Sequence, residues 1–211
     1  SRGLGDVYKR QVFGVIDTKT NIKEIDSLPN LKINKANIEF RDVSFSYPTT
    51  KEDAVKNVNI LVDGGSTVAL VGHSGAGKST IFNLLPRFYD PGNGKIYIDG
   101  QSICDITLSS LRKNISLVSQ DIILFDDTVR ANVAYANRDA SEAQIKKACK
   151  FAAAADFIEN LPQSYDTVIG ENGIRLSGGQ KQRISIARAI LKDSPITVSY
   201  THLTLPTILL V

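Results

Sequence analysis

Cysteine is scarce in this chain, and long apolar runs are missing. The two cysteines, Cys104 and Cys149, lie far apart and lack the spacing of metal ligands. They are interpreted as reduced thiols of a cytosolic protein or as small core residues. No apolar stretch approaches the roughly 18 residues that a membrane-spanning helix requires, and residues 1–20 carry no secretory signal pattern.

An excess of one charge is also lacking. The chain has 25 Lys and Arg residues against 22 Asp and Glu, a net charge of +3, and the basic residues do not cluster into a stripe. The sequence therefore predicts no nucleic-acid partner. The length of 211 residues allows one domain or slightly more, and the apolar fraction of 42% is enough for a sizeable core.

A glycine-rich segment, residues 72–80, directly follows an apolar run at residues 67–71. It matches G-x-x-x-x-G-K-[ST], a pattern that is specific when a strand precedes it and a helix follows, and we predict that helix over residues 79–85. Glycine lets the backbone curl close to a ligand, so that successive N–H groups and the helix start form an anion site. The predicted phosphate-binding residues are Gly72, His73, Ser74, Gly75, Ala76, Gly77, Lys78, Ser79 and Thr80.

Within this loop, Lys78 is predicted to reach the β- and γ-phosphates, and the Ser79 hydroxyl is predicted to ligate Mg²⁺. His73 occupies a variable position of the pattern, and we interpret it as lining the site without acting as a base. The alternative interpretation of the segment is a glycine-rich turn with an exposed lysine.

The rest of the chain alternates between strand and helix patterns. Alternating apolar residues predict strands over residues 38–47, 58–62 and 96–98, the first with a bend at Arg41 and Asp42. A short apolar strand is predicted at residues 115–118. Helices are predicted at residues 108–112, 128–135, 141–151, 155–161 and from about residue 180 to Ser194. This order indicates an α/β core with a helical insertion.

A second glycine pair precedes the last of these helices, in the segment Leu176, Ser177, Gly178, Gly179 and Gln180. Ser177 sits at an N-cap position, and the two glycines expose bare N–H groups at a helix start, which predicts a second anion site. Taken alone, the segment is also compatible with an ordinary capped helix.

Together these segments resemble the nucleotide-binding domain of ABC transporters, of the exporter type that carries membrane and ATPase domains in one polypeptide. The resemblance runs from about residue 12 to about residue 195. Residues 72–80 match the Walker A loop, and residues 176–180 match the ABC signature. Gln120 matches the Q-loop glutamine that contacts Mg²⁺, and Tyr47 matches the A-loop aromatic that stacks on adenine. On their own, Gln120 is interpreted as a surface polar residue and Tyr47 as a half-buried strand residue.

The resemblance implies an α/β fold: a P-loop NTPase core with an antiparallel β subdomain and a helical signature subdomain. It implies ATP and Mg²⁺ as ligands and a second nucleotide-binding domain as partner, packed head to tail. Ser177, Gly178 and Gly179 would then act on the partner's γ-phosphate. It also implies a transmembrane domain in the same polypeptide, with residues 121–135 near the contact, at the cytoplasmic face of a membrane.

The match fails where the Walker B strand should end in Asp-Glu. Tyr200 and Thr201 stand there instead, and neither side chain replaces a carboxylate. The D-loop and the switch histidine are also absent, and His202 is not in a position to serve as that histidine. We therefore expect nucleotide binding without useful turnover. We also expect the C-terminal part of the core to be missing, with no replacement for its later strands, an exposed sheet edge and low stability.

Both ends of the chain look foreign to this family. Residues 1–11 and residues 198 to about 206 resemble translated sequencing-adapter DNA. This leads to the hypothesis of a truncated gene piece whose ends, residues 1–11 and 198–211, are not native. Residues 12–34 are then expected to be the end of a membrane-domain helix and a linker, and residues 35–197 an incomplete ATP-binding domain. Two alternatives stay open, a non-catalytic regulatory nucleotide-binding module and a soluble ABC-type ATPase of DNA repair or translation.

Overall fold

A computed structural model describes residues 22, 25, 27–50, 52–119, 121–170, 174–200 and the backbone of residues 207–210. The strands are β1 (Ile38–Phe45), β2 (Val55–Val62), β3 (Thr67–Leu70), β4 (Asn93–Ile98), β5 (Gln101–Ser102), β6 (Ile115–Val118), β7 (Asp127–Thr128), β8 (Val168–Ile169), β9 (Ile196–Ser199) and β10 (Thr207–Leu210). The helices are α1 (Lys78–Leu84), α2 (Leu108–Lys113), α3 (Val129–Ala134), α4 (Glu142–Phe151), α5 (Ala155–Glu159) and α6 (Gly178–Lys192), with a 3₁₀ turn at Ser164–Asp166. Over these described ranges, every helix is too short or too polar to cross a bilayer.

The first sheet is antiparallel, with strand order β2-β1-β4-β5. The predicted bend in β1 is confirmed, because its register against β2 shifts between Phe40 and Val43 and Asp42 has a positive φ of 50°. This bulge absorbs the phase slip in the sequence. As a result, Ile38, Phe40, Val43 and Phe45 are all buried in one apolar cluster with the helix α1.

The second sheet has strand order β3-β10-β9-β6, with β9 and β6 parallel. The expectation that nothing replaces the later strands of the core is wrong for one strand position. Strand β10 lies between β3 and β9 and pairs with both in antiparallel fashion. The physical reason is that both neighbours otherwise present open edges, and the four-residue run of Thr, Ile, Leu and Leu has the composition of a strand.

The helices α3 to α6 form a separate helical unit with its own apolar cluster. Helix α6 packs against α3 and α4 through one face that buries Ile184, Ala187 and Leu191, as its spacing predicts.

Cys149 is fully buried in the apolar cluster of this helical unit, and its burial raises the pKa of the thiol to about 11. The interpretation of this cysteine as a small core residue is thus confirmed, and both cysteines are free.

The segment that leads into β1 is fastened to the first sheet by one carboxylate. The two oxygens of Asp99 accept hydrogen bonds from the backbone N–H groups of residues 34–37, at 2.6–3.1 Å. Partial desolvation alone would raise the pKa of Asp99, but these four donors outweigh it and lower the pKa. Further along the segment, Gln101 exchanges two hydrogen bonds with the backbone of Lys32. The entry to the domain is therefore held tightly against the β4–β5 turn.

Candidate nucleotide site

The glycine-rich loop joins the end of β3 to the start of α1, as its sequence predicts. Gly77 is the residue before the helix, with φ of 82°. A Cβ atom there would lie 2.6 Å from both the Ala54 carbonyl oxygen and the Val55 Cγ1 atom. A side chain at this position would be strained by the positive φ and would collide with the start of β2. The glycine of the motif is therefore also required by the packing of the loop on β2.

Lys78 lies inside the curl of the loop. Its Nζ atom donates hydrogen bonds to the carbonyl oxygens of Gly72 at 2.7 Å and His73 at 2.8 Å. The Nδ1 atom of His73 lies 3.0 Å from the carbonyl oxygen of the next residue, Ser74. The positive charge of Lys78 is thus held within the loop. An anion bound there would interact with this charge and with the N–H groups at the start of α1.

Most of the predicted phosphate-binding residues are open to solvent. Exposed side chains or backbone belong to Gly72, His73, Ser74, Gly75, Ala76 and Ser79, whereas Gly77 and Lys78 are half-buried and Thr80 is buried. The loop is therefore open to solvent, whereas Thr80 in the first turn of α1 is buried.

Tyr47 and the loop share one cleft. The hydroxyl oxygens of Tyr47 and Thr80 are 3.2 Å apart, within hydrogen-bond distance. An open cleft of about 510 Å³ lies beside Tyr47, lined by Tyr47, Thr50, Glu52, Asp53, Ala54 and Gly75. The structure therefore brings the predicted base-stacking residue and the predicted phosphate loop together, although 25 positions separate Tyr47 from Gly72.

Tyr200 occupies the end of β9, where a metal-assisting carboxylate is expected. Its hydroxyl donates to Asn83 Oδ1 at 2.8 Å, and its ring packs on Phe82 with centroids 5.3 Å apart. Burial raises the pKa of Tyr200 to about 12, so the phenol is neutral near pH 7. Gln120 and Thr201 lie outside the described residues.

The donor groups fit a nucleotide better than a metal held by the protein. Among the described residues, no cluster of three or more His, Cys, Asp or Glu side chains is placed to bind a metal. Ser79 offers one hydroxyl beside the loop, but protein Mg²⁺ sites usually include one or two carboxylates as well. A Mg²⁺ ion at Ser79 would therefore need further oxygen ligands, such as those of a bound nucleotide.

The signature segment lies on the helical unit. Leu176 is buried in the second apolar cluster, and Ser177 caps α6 in a reciprocal pair with Gln180. The Gln180 side chain accepts from the Ser177 N–H at 2.9 Å, so this side chain is committed to the cap. Gly178 and Gly179 are exposed, with open space where a side chain would be. The phosphate loop packs on the first cluster and the signature on the second.

A groove between the two clusters was not predicted. It has a volume of about 380 Å³ and is mostly apolar, with Pro86, Phe88, Leu117 and Tyr135 among its lining residues. At its margin, Arg188 donates to the Asn132 carbonyl at 2.6 Å and to the Ile123 carbonyl at 2.7 Å. No local sequence signal marks this arrangement, because its members come from four distant parts of the chain.

A strand, a glycine-rich loop and a helix of this geometry, beside an aromatic cleft, define a phosphate-loop nucleotide-binding domain. The comparisons with known proteins agree. The family model described as ABC transporter matches residues 55–199. A bacterial Atm1-family ABC exporter solved with ATP bound has a TM-score of 0.84 and 45% identity, covering 92% of this chain and 34% of that one.

Curated relatives match at higher identity over most of the chain. The ATP-dependent lipid A-core flippase of Syntrophus aciditrophicus is 49% identical over 189 residues, which are 90% of this chain and 31% of the relative. The ATM1-type heavy metal exporter of Novosphingobium aromaticivorans is 47% identical over 195 residues, 92% of this chain and 32% of the relative. The chain thus spans about a third of the length of these relatives, and it belongs to the ABC transporter family.

Proposed function

We propose that the chain binds ATP in the cleft between Tyr47 and the phosphate loop, as the ATP-binding domain of an exporter. The observation that carries this proposal is one cleft lined both by the Tyr47 ring and by Gly75 of the phosphate loop, whose curl also holds Lys78. Adenine would stack on Tyr47, and the phosphates would replace the loop carbonyls as partners of Lys78. ATP-binding residues are then Tyr47, residues 72–80 and Gln120.

The whole protein is proposed to be an ATP-driven exporter with a transmembrane domain in the same polypeptide. Its ATP-binding domain would lie at the cytoplasmic face of the membrane. The names of the relatives, a flippase and a heavy metal exporter, support this class. They differ in what they carry, so the transported substrate is expected to depend on the membrane domain. Residues 12–34 are proposed as the end of a membrane-domain helix and the linker from it, and the Asp99 contacts to residues 34–37 support a firm attachment where the linker ends.

Hydrolysis in such a protein is an in-line attack of water on the γ-phosphate, with Lys78 and a partner's signature stabilising the developing charge. A carboxylate normally orients the water, and Tyr200 supplies none. Mg²⁺ would enter with the nucleotide, with Ser79 and Gln120 as ligands. We therefore propose that this chain binds ATP without useful turnover. A second candidate is a regulatory nucleotide-binding module without catalysis, since Tyr200 and Thr201 stand where the two carboxylates belong.

Phosphate release from ATP tests the absence of turnover. We expect the purified chain, at saturating ATP and Mg²⁺, to release phosphate at the buffer rate, while ATP raises its Tm because binding stabilises the folded state. Release well above the buffer rate that Lys78→Ala abolishes would contradict the proposal. A Tm that ATP leaves unchanged would contradict nucleotide binding itself.

The signature at Leu176, Ser177, Gly178, Gly179 and Gln180 is proposed to act on ATP bound by a second nucleotide-binding domain. The exposure of Gly178 and Gly179 at the start of a helix supports this role, because the first N–H groups of a helix have no partner within it. A head-to-tail dimer would bring this helix start against the phosphates held by the partner's loop.

The apolar groove is proposed as the contact for the transmembrane domain, consistent with the expectation for residues 121–135. Support comes from exposed apolar side chains beside it: Ile123 is 73% and Tyr135 54% exposed. Arg188 and the buried Asn132 hold the backbone of this margin in place through hydrogen bonds at 2.6–2.9 Å.

A further inference from the structure

Three aromatic rings pack against one another beside the proposed base site. Tyr89 lies edge-on to Tyr47, with centroids 5.2 Å apart and ring planes at 86°. Phe45 contacts both, at 4.9 Å from Tyr47 and 5.3 Å from Tyr89. We propose that Tyr89 is a positioning residue that holds the Tyr47 ring for stacking on the nucleotide base. This inference rests on the proposed binding of ATP.

The turn that contains Tyr47 holds the backbone of this residue in place but restrains its ring less. Strand β1 ends at Phe45, and the turn that follows is closed by the Thr50 N–H, which donates to the Tyr47 carbonyl at 2.9 Å. The hydroxyl has a partner in Thr80, but one contact at the tip leaves the ring free to rotate about its long axis. Edge-on contacts with neighbouring rings restrict that rotation.

Tyr89 is suited to this task because its own position is fixed on both sides. Arg87 and Asp90, which flank Tyr89 in the sequence, form an ion pair at 2.6 Å, and the Arg87 side chain is only 9% exposed. The Gly92 N–H then donates to the Ser44 carbonyl at 2.9 Å, which ties this turn to the strand that carries Phe45. Tyr89 therefore links the end of the phosphate-loop helix to the aromatic wall of the cleft.

Calorimetric titration with two ligands separates positioning of the base from general support of the fold. ATP carries both base and phosphates, whereas inorganic tripolyphosphate carries phosphates alone. We expect Tyr89→Leu to weaken ATP binding about 3–10-fold, in line with the loss of an aromatic pair, and to leave tripolyphosphate binding unchanged. Tyr89→Phe, which keeps the ring, should bind ATP like the unmodified chain.

Two further variants serve as controls. Tyr97→Leu removes a tyrosine of β4 that lies under Arg41, away from the cleft, and should leave both affinities unchanged. In a Tyr47→Ala background, Tyr89→Leu should cause no additional loss of ATP affinity, because there is no ring left to position.

The results that would overturn the inference are distinct from those that would overturn ATP binding. Equal weakening of ATP and tripolyphosphate by Tyr89→Leu would mean that Tyr89 only supports the fold, and unchanged ATP affinity would mean that it has no role. If circular dichroism finds Tyr89→Leu unfolded, Tyr89→His, which keeps a planar ring of smaller area, gives the same comparison between the two ligands. An unmodified chain that binds neither ligand would contradict the proposed function, and this inference with it.

Discussion

At Gly77 the backbone has φ of 82°, and a side chain would collide with the Ala54 carbonyl and with Val55. Gly65 is a matched control, because its φ is 77° but nothing lies within 4 Å of the added carbon. We expect Gly65→Ala to cost about 1 kcal/mol in unfolding free energy from backbone strain alone. Gly77→Ala should cost clearly more, about 3 kcal/mol, and should also weaken ATP binding.

Urea unfolding of both variants measures this difference, followed by ATP titration of each. If Gly77→Ala is no less stable than Gly65→Ala and binds ATP normally, the close packing of the loop on β2 is not what requires glycine there.

Single residues with a local pattern were predictable from the sequence, and those that depend on distant partners were not. The phosphate loop is recognisable because the glycines of the turn and the Lys and Ser at the start of the helix all lie within nine consecutive positions. The partners of Tyr47 and of Asn132 were missed, since Tyr89 and Arg188 approach them only after folding. Asp99 likewise looks like an ordinary turn residue in the sequence, and its four donors come from a segment more than 60 positions away.

At the scale of elements, the Asp99 contacts make the attachment of the entry segment dependent on pH. Because the pKa of Asp99 is lowered in the folded chain, its contribution is present above its unfolded pKa of about 4. That contribution is lost as the pH falls through the lower folded pKa. We expect Asp99→Asn to lower the unfolding free energy by about 1–2 kcal/mol at pH 7, since a charged acceptor is lost.

The difference between Asp99→Asn and the unmodified chain should shrink as the pH falls below the unfolded pKa of about 4 and through the lower folded pKa, because the carboxyl is then protonated too. Urea unfolding at pH 7 and at low pH measures it, with Asp63→Asn as a control at an exposed turn position. A difference that stays constant or grows towards low pH would contradict this explanation.

The caps of α4 and α6 offer a second matched pair. Ser141 and Ser177 each form the same reciprocal cap with a glutamine three residues later. Replacing either serine with alanine should cost about 1 kcal/mol in stability, because a helix N–H loses its acceptor. Only Ser177→Ala should also reduce ATP-dependent dimer formation, since only this cap belongs to the proposed signature. Sedimentation with and without ATP tests this, and equal dimerisation of the two variants would count against the signature role.

Element boundaries followed from the sequence wherever turn residues and apolar spacing agreed. Helix α6 begins after Ser177 and ends before Ser194, as expected from the N-cap and the following proline. Strand β10 was missed, because a four-residue apolar run gives no sign of which edges are open to it. Its pairing depends on the arrangement of β3 and β9, which is a property of the assembled sheet.

At the scale of the whole molecule, the described residues form two apolar clusters, and one of the two proposed anion-binding segments lies on each. This division explains why one domain carries two helix starts suited to phosphates that need not meet each other. The phosphate loop serves the chain's own nucleotide in the proposed function, and the signature serves the partner's. The central claim of this account is that the loop at residues 72–80 binds ATP through Lys78.

Calorimetric titration of ATP into the unmodified chain and into Lys78→Ala tests that claim most directly, with Lys56→Ala as a control on the exposed side of β2. We predict one binding site in the unmodified chain and in Lys56→Ala. In Lys78→Ala we predict a Kd about tenfold higher or more, because a charged donor to the phosphates is lost. Equal affinity in all three chains, or no binding in the unmodified chain, would contradict the account.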